Sequence, residues 1–256
     1  MNPHIIQKSS KTTILASLAT ITGAGLLAAL VLAILLIGVG PVHAEPKPPP
    51  CTEDAMIVFD ASGSMACNLD QGIATLKPRI DEVRSALAEI LPTVAHLRRV
   101  GLITYGPGPG QQCNVKLDLK PTVNAASVIM RTLDDLTPAG RTPLTSAVAE
   151  AADVLDYRKS PGVIVVVTDG EETCGASPCD LGKKLHAAAE QLTVHIIGFR
   201  MKDFSWTGEN SILDAKCLAQ ENNGLYISAD NKDDLVAALK ATLECPMTSE
   251  NSAAPR

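Results

Sequence analysis

The stretch Met56-Ile-Val-Phe-Asp-Ala-Ser-Gly-Ser64 joins an apolar run directly to three oxygen-bearing side chains. Met56 to Phe59 form the short continuous apolar run that is typical of a strand buried on both faces. Asp60, Ser62 and Ser64 follow at the carboxyl end of this strand. Ligands of open α/β sheets bind beyond the carboxyl ends of the strands. The stretch therefore predicts a central strand that ends in a polar site.

The rest of the chain alternates between strand and helix patterns. Apolar runs predict further strands at 100–105, 115–119, 163–167, 194–199 and 225–227, and amphipathic stripes predict helices at 73–90, 125–135, 145–157, 181–191, 211–222 and 231–243. Pro78 is expected in the first turn of the first helix. Gly106 to Gly110 form a short turn, so the two strands that flank it are expected to be antiparallel. This pattern predicts an α/β fold: a doubly wound, mostly parallel six-stranded sheet with one antiparallel edge strand and helices on both faces.

The composition excludes two classes of protein. The chain has 256 residues, of which 46% are hydrophobic and 20% charged, which excludes an intrinsically disordered protein. Its formal net charge is −6, whereas nucleic acid requires a basic face, so no nucleic-acid partner is expected. Seven cysteines in a chain of this size are typical of a protein in an oxidising compartment.

The N-terminal segment predicts export. Residues 12–42 contain no charged side chain, and two lysines precede them. A signal peptide cleaved after Val42-His-Ala44 and an uncleaved membrane anchor within 13–42 both fit this pattern. Either one places the remainder outside the cytoplasm, in the periplasm, secreted or membrane-anchored, because the lysines stay inside. The predicted organisation is a signal peptide or anchor at 1–44, a Pro-rich linker at 45–51, one domain at 52–245 and a disordered tail at 246–256.

Two further polar groups are expected at the same edge of the sheet. Thr142 lies in the loop before the predicted 145–157 helix, and Asp169 follows the predicted 163–167 strand. Two carboxylates and three hydroxyls are hard oxygen donors of the kind that Mg²⁺ and Ca²⁺ bind. The predicted metal set consists of Asp60, Ser62, Ser64, Thr142 and Asp169.

Asp60-x-Ser62-x-Ser64, followed at a distance by Thr142 and Asp169, resembles the metal-ion-dependent adhesion site (MIDAS) of a von Willebrand factor type A (VWA) domain. The motif order and the surrounding strands agree with that family over 52–243, so the resemblance implies its Rossmann-like fold. It implies that the two serines contact the metal directly and that the two aspartates lie mostly one layer further out, where they reach the metal through water. It also implies that Thr142 is a conformation-dependent ligand. The cation is expected to be Mg²⁺, with Ca²⁺ or Mn²⁺ as alternatives.

The resemblance also implies a function. The segments at 168–179 and 216–219 resemble the exported bacterial branch that is often labelled chloride-channel-like. A non-enzymatic binding module is expected, in which an Asp or Glu of a partner protein completes the metal shell. The alternative is a structural or assembly factor of the cell envelope whose metal only rigidifies the loops. A serine hydrolase needs a serine, a histidine and an acid within mutual reach. It is not favoured, because the sequence places His96 in a helix-to-strand connection, His186 in a helix and His195 inside a strand, where a solvated or core histidine is expected.

The cysteines and one tryptophan complete the predicted features. We call the edge formed by the carboxyl ends of the parallel strands the top, and the opposite edge the bottom. Cys51 and Cys245 are expected to pair at the bottom; alternatively, Cys51 is a linker residue that is free or paired elsewhere. In related adhesion domains the final helix slides when the metal site rearranges, so this bond would tether it and give binding at constant affinity.

Trp206 is expected either to fold onto the domain or to anchor a partner at the rim. Five further cysteines are expected near the top, with their pairing open: Cys67, Cys113, Cys174, Cys179 and Cys217.

Overall fold

A six-stranded sheet organises the chain in the computed structural model, which describes residues 53–67, 69–70, 73–74, 77–108, 112–201 and 210–245. The strands are β1 (Asp54–Asp60), β2 (Val100–Tyr105), β3 (Val115–Thr122), β4 (Pro161–Thr168), β5 (Gln191–Phe199) and β6 (Tyr226–Ala229). Their order across the sheet is β3-β2-β1-β4-β5-β6. Only β3 runs antiparallel to its neighbour, which confirms the predicted sheet.

Helices cover both faces of this sheet. They are α1 (Arg79–Leu97), α2 (Ala126–Asp134), α3 (Leu144–Val154), α4 (Pro178–Ala188), α5 (Asn210–Glu221) and α6 (Lys232–Leu243). One core lies between the sheet and α1, α2 and α6, and a second lies between the sheet and α3, α4 and α5. The two cores explain why β1 is apolar without alternation: Ile57 and Phe59 pack into the first, and Met56 and Val58 pack into the second.

The start of α1 differs from the prediction. The apolar stripe placed Ile73 in this helix, but Ile73–Ala74 instead pairs antiparallel with Leu69–Asp70 in a small separate sheet. The helix begins at Arg79, and Pro78 precedes it in an extended conformation with ψ of 152°. Spacing alone misassigned Ile73, because an apolar residue in a two-residue strand fell in phase with the helical stripe by chance.

Several predicted features lie outside the described residues. Residues 1–52 and 246–256 are among them, so the signal peptide or anchor, the linker and the tail stay predictions. Cys51 and Trp206 also fall outside. Within the part of the chain that the structure describes, no helix is both long enough and apolar enough to cross a bilayer.

Candidate metal centre

The five predicted metal-site residues all lie at the top of the sheet. Asp60 ends β1, and Asp169 directly follows β4, which is paired with β1. Ser62 and Ser64 lie in the loop and short 3-10 turn that follow β1. Thr142 lies just before α3. The fold therefore brings together residues that the chain separates widely.

The hydroxyl groups form a connected pair beside one carboxylate. The Oγ atoms of Ser62 and Ser64 are 3.0 Å apart, and Ser64 Oγ donates to Asp169 Oδ1 at 2.6 Å. Gly170 leaves space next to this pair: a Cβ built there would lie 3.5 Å from Ser64 Oγ and 3.6 Å from Thr142 Oγ1. The hydroxyls of Ser64 and Thr142 thus border one common space beside Gly170, and this space stays open because glycine has no side chain.

Asp60 is fully buried and serves as the anchor of the site. Its Oδ1 accepts from the Ser62 backbone N–H at 2.8 Å, and its Oδ2 accepts from Thr168 Oγ1 at 2.6 Å. Thr168 is a residue that the motif did not include. It ends β4 beside β1, so the side-by-side pairing of these strands places its hydroxyl against the carboxylate.

Asp169 is paired with an arginine that sequence reasoning did not identify. Arg79 Nη1 donates to Asp169 Oδ2 at 2.8 Å, and both side chains are almost completely buried. The two residues are 90 positions apart, so no short motif contains both of them. Pro78 and the start of a helix were the only local signals at Arg79.

Burial raises the pKa of the titratable groups at this site. Burial, together with the charge of Asp169, raises the pKa of Asp60 to about 6. Burial is also the main cause that raises the pKa of Asp169, although hydrogen bonds from Ser64 and Arg79 oppose this effect. The pKa of Tyr105 is raised well above its ordinary value by its own burial and by the charge of Asp60. A divalent cation would therefore lower the electrostatic repulsion between these two buried carboxylates and stabilise their ionised forms.

The oxygen atoms of the site fit a small hard cation. An octahedral shell at about 2.0–2.1 Å places neighbouring ligand oxygens about 2.9 Å apart, close to the 3.0 Å between the Ser62 and Ser64 hydroxyls. Among the described residues, no three His, Cys, Asp or Glu side chains gather into a metal-binding group. The predicted set does not depend on such a group, because it combines only two carboxylates with three hydroxyls.

Two disulfides resolve part of the open cysteine pairing. Cys113 is bonded to Cys174 with a Cα–Cα distance of 6.0 Å, and Cys179 to Cys217 with 5.1 Å. Cys67 takes part in neither of these two bonds and is half-buried. The predicted Cys51–Cys245 bond is not described, because Cys51 lies outside the described residues.

The hydrogen bonds of the histidines differ from those of a catalytic triad. His96 Nδ1 lies 2.7 Å from Asn124 Oδ1, and His195 Nδ1 accepts from the Leu225 backbone N–H at 3.0 Å. The hydroxyls of Ser62 and Ser64 instead contact each other and Asp169. These two serines and these two histidines therefore have different hydrogen-bond partners.

Comparisons with known proteins agree with this fold. A family model described as the von Willebrand factor type A domain matches residues 55–172. An uncharacterized protein of Bacillus subtilis strain 168, YwmC, is 30% identical over 187 residues, which span 70% of this chain and 78% of the relative.

Solved structures share the fold at low sequence identity. An aerotolerance-related membrane protein from Bacteroides fragilis NCTC 9343 has a TM-score of 0.53 and 20% identity, covering 75% of this chain and 98% of its own. Proximal thread matrix protein 1 from the mussel byssus, solved with a zinc-occupied MIDAS motif, has a TM-score of 0.52 and 17% identity over 77% of this chain and 48% of its own. Both similarities are similarities of fold.

Proposed function

Because the chain belongs to the von Willebrand factor type A domain family, we propose that it is an exported, non-enzymatic binding module that holds a partner protein through a divalent cation. One observation carries the proposal: the hydroxyls of Ser62 and Ser64 are 3.0 Å apart, beside the buried carboxylates of Asp60 and Asp169. These four side chains and Thr142 would hold the cation. Mg²⁺ is the cation that we propose, with Ca²⁺ or Mn²⁺ as alternatives.

The charges around the site favour an acidic group from the partner. The carboxylates of Asp60 and Asp169 carry two negative charges when ionised, and the guanidinium of Arg79 offsets one of them. A bound divalent cation would supply a Lewis-acid contact to an anionic oxygen. The hydroxyl ligands add no charge, so the loaded site would keep a net positive charge. A carboxylate of an Asp or Glu in the partner would neutralise it.

The proposed location is outside the cytoplasm. Two disulfides in the described residues are typical of proteins in oxidising compartments. The fold is also shared with a protein described as an aerotolerance-related membrane protein. We propose a periplasmic or secreted protein, or one anchored through 13–42, that contacts the membrane only through that segment. Trp206 stays a proposed rim contact for the partner.

A screen of acidic peptides tests the proposed function. Peptides that bind the protein in Mg²⁺ are expected to be lost in chelator, and to be lost when their Asp or Glu is changed to Asn or Gln. Ser62→Ala should abolish this binding, whereas Ser127→Ala, at an exposed helix position, should leave it intact. Stabilisation by Mg²⁺ without any Mg²⁺-dependent binder would favour the structural alternative. Labelling of Ser62 or Ser64 by a serine-hydrolase inhibitor would contradict the non-enzymatic assignment.

Replacement of Arg79 by methionine is expected to destabilise the metal-free protein by about 3 kcal/mol. The change removes the guanidinium that pairs with Asp169 and leaves the buried Asp169 carboxylate without a positively charged side chain beside it. Mg²⁺ should recover part of this loss, because it returns positive charge to the same carboxylates. Urea unfolding in chelator and in Mg²⁺ measures both effects.

Arg158→Met is the control for this variant, because Arg158 forms an exposed ion pair with Asp153. It should change stability by less than about 0.5 kcal/mol under both conditions. An equal loss for Arg79→Met with and without Mg²⁺ would contradict a shared role of the guanidinium and the cation.

A further inference from the structure

The backbone of Thr142 is held by the segment that follows β4. The Thr142 N–H donates to Thr173 Oγ1 at 2.8 Å, and the Thr173 N–H donates to the Thr142 carbonyl at 3.0 Å. These reciprocal bonds fix the peptide groups on both sides of the Thr142 side chain. Thr142 is itself only 5% exposed, so its hydroxyl has little freedom to move independently.

Glu172 connects the same segment to α3. Its Oε2 accepts from the Thr145 N–H at 2.8 Å, and its Oε1 accepts from the Cys174 N–H at 2.7 Å. The N-cap residue of α3, Pro143, makes no side-chain cap, and the first turn of the helix contains no acidic residue. Glu172 thus supplies the missing acceptor and a favourable negative charge at the helix N-terminus. Thr142 and the first turn of α3 are therefore both tied to the 172–174 segment.

The other side of the loop is held by the turn between β2 and β3. The Arg141 N–H donates to the Gln112 carbonyl at 3.2 Å. Gly140 has a φ of +75°, and a Cβ on it would collide with the carbonyl oxygen of Gly106. The Cys113–Cys174 disulfide joins these two supports, because Cys113 adjoins Gln112 and Cys174 adjoins Thr173. The loop with Thr142 is enclosed by a covalently closed clamp.

We propose that the Cys113–Cys174 disulfide is a positioning element of the metal site, which sets the cation affinity by fixing the hydroxyl of Thr142. This inference rests on the proposed function and adds to it a structural cause of affinity. Without the bond, the 112–113 turn and the 172–174 segment can separate, and Thr142 loses its fixed position. Loss of groups that orient a metal ligand typically weakens metal binding 10- to 100-fold. We expect a change of about tenfold or more.

The second disulfide provides a matched control. Cys179–Cys217 joins α4 to α5, neither of which supplies a residue of the metal set, and its sequence separation is 38 against 61 for Cys113–Cys174. Loop-closure models give these two bonds similar stabilisation. Cys113→Ser/Cys174→Ser and Cys179→Ser/Cys217→Ser are therefore expected to lower stability by similar amounts in urea unfolding. Only the first pair should raise the dissociation constant for Mg²⁺ in calorimetric titration, by about tenfold or more.

The possible outcomes separate this inference from the proposed function. No Mg²⁺ binding by the wild-type protein would contradict the proposed function itself. Wild-type binding with equal Mg²⁺ affinities in all three proteins, or with equal weakening in both serine pairs, would overturn the positioning role. Thr173→Val keeps both disulfides and removes only the acceptor for the Thr142 N–H. It tests the same clamp if the first serine pair fails to fold, and an unchanged Mg²⁺ affinity in that variant would also overturn the inference.

Discussion

Replacement of Asp60 by asparagine is expected to abolish the stabilisation that Mg²⁺ gives the protein. A ligand that binds only the folded state stabilises it by about 2.7 kcal/mol at a concentration about 100 times its dissociation constant. The wild-type protein should show a shift of that size between saturating Mg²⁺ and chelator. In Asp60→Asn the negative charge is removed from the site, and the thermal midpoints in Mg²⁺ and chelator should coincide.

The structure explains why this variant should still fold. Asparagine keeps an oxygen to accept from the Ser62 N–H, and its amide can donate to Thr168 Oγ1. The proton that Thr168 Oγ1 gives to Asp60 in the wild-type protein can then turn to the Gly170 carbonyl, 3.0 Å away. Burial and the charge of Asp169 raise the pKa of Asp60, so its ionised form is less favourable at this position than in water. In chelator, Asp60→Asn should therefore be as stable as the wild-type protein or more stable.

Asp118 offers a buried control on the edge strand. Its Oδ2 accepts from Thr104 Oγ1 at 2.6 Å, and it belongs to no part of the metal set. Asp118→Asn should keep the full Mg²⁺ shift, whatever its own effect on stability. A wild-type protein with the same thermal midpoint in Mg²⁺ and chelator would show that the site binds no metal under those conditions.

Replacement of both Cys51 and Cys245 by serine is expected to lower the free energy of unfolding by about 4 to 5 kcal/mol. A bond between them would close nearly the whole domain into one loop, where loop-closure models give the largest gain. Peptide mapping without reduction checks the bond itself: Cys51 and Cys245 must appear in one linked fragment. Urea unfolding of the double variant then measures the loss.

Arg98 connects the two ends of the described domain. Its guanidinium donates to the Glu53 carbonyl at 3.2 Å and to the Leu243 carbonyl at 3.0 Å, so both ends of the domain meet on one side chain. Glu53 lies two residues after Cys51, and Leu243 lies two residues before Cys245. The bonded Cα atoms must stay within about 7 Å, so the bond would limit any sliding of α6.

The functional consequence of this tether needs a second measurement. With α6 tethered at the bottom, the protein is expected to bind at constant affinity. Binding of an acidic peptide from the screen should fit a single dissociation constant in the wild-type protein. A second affinity state should appear only in Cys51→Ser/Cys245→Ser. Two affinity states in a bonded wild-type protein, in the same proportion as in the double variant, would contradict the tether.

The fold could be predicted because its strongest signals are local. The continuous apolar run at 56–59 required a strand buried on both faces, and the turn at 106–110 required an antiparallel neighbour. The sequence predicted that α4 starts at residue 181, whereas the helix starts at Pro178. The apolar pattern does not include the N-cap contact from the Asp180 N–H to Ser177 Oγ, which fixes the true start. Ile73 was misassigned for the complementary reason: it matched the apolar pattern without being helical.

The proximity of the candidate metal residues could be predicted from the sequence, but the residues that support them could not. Asp60, Ser62 and Ser64 are close in sequence, and the carboxyl ends of parallel strands bring Asp169 to the same edge. Arg79 reaches Asp169 only through the packing of α1 against the sheet, which no pattern in the sequence specifies. Glu172 lies in the 168–179 segment that resembles the exported bacterial branch, yet its role at the start of α3 depends on a contact with Thr145, 27 positions earlier in the chain.

Anomalous diffraction from crystals of the protein soaked in Mn²⁺ and acetate tests the central claim most directly. We predict one manganese peak that contacts the hydroxyl oxygens of Ser62 and Ser64, with an acetate oxygen in its coordination shell in place of the partner carboxylate. Crystals of Asp60→Asn should lack this peak. A wild-type protein that shows no manganese between these serines at saturating concentration would contradict the claim.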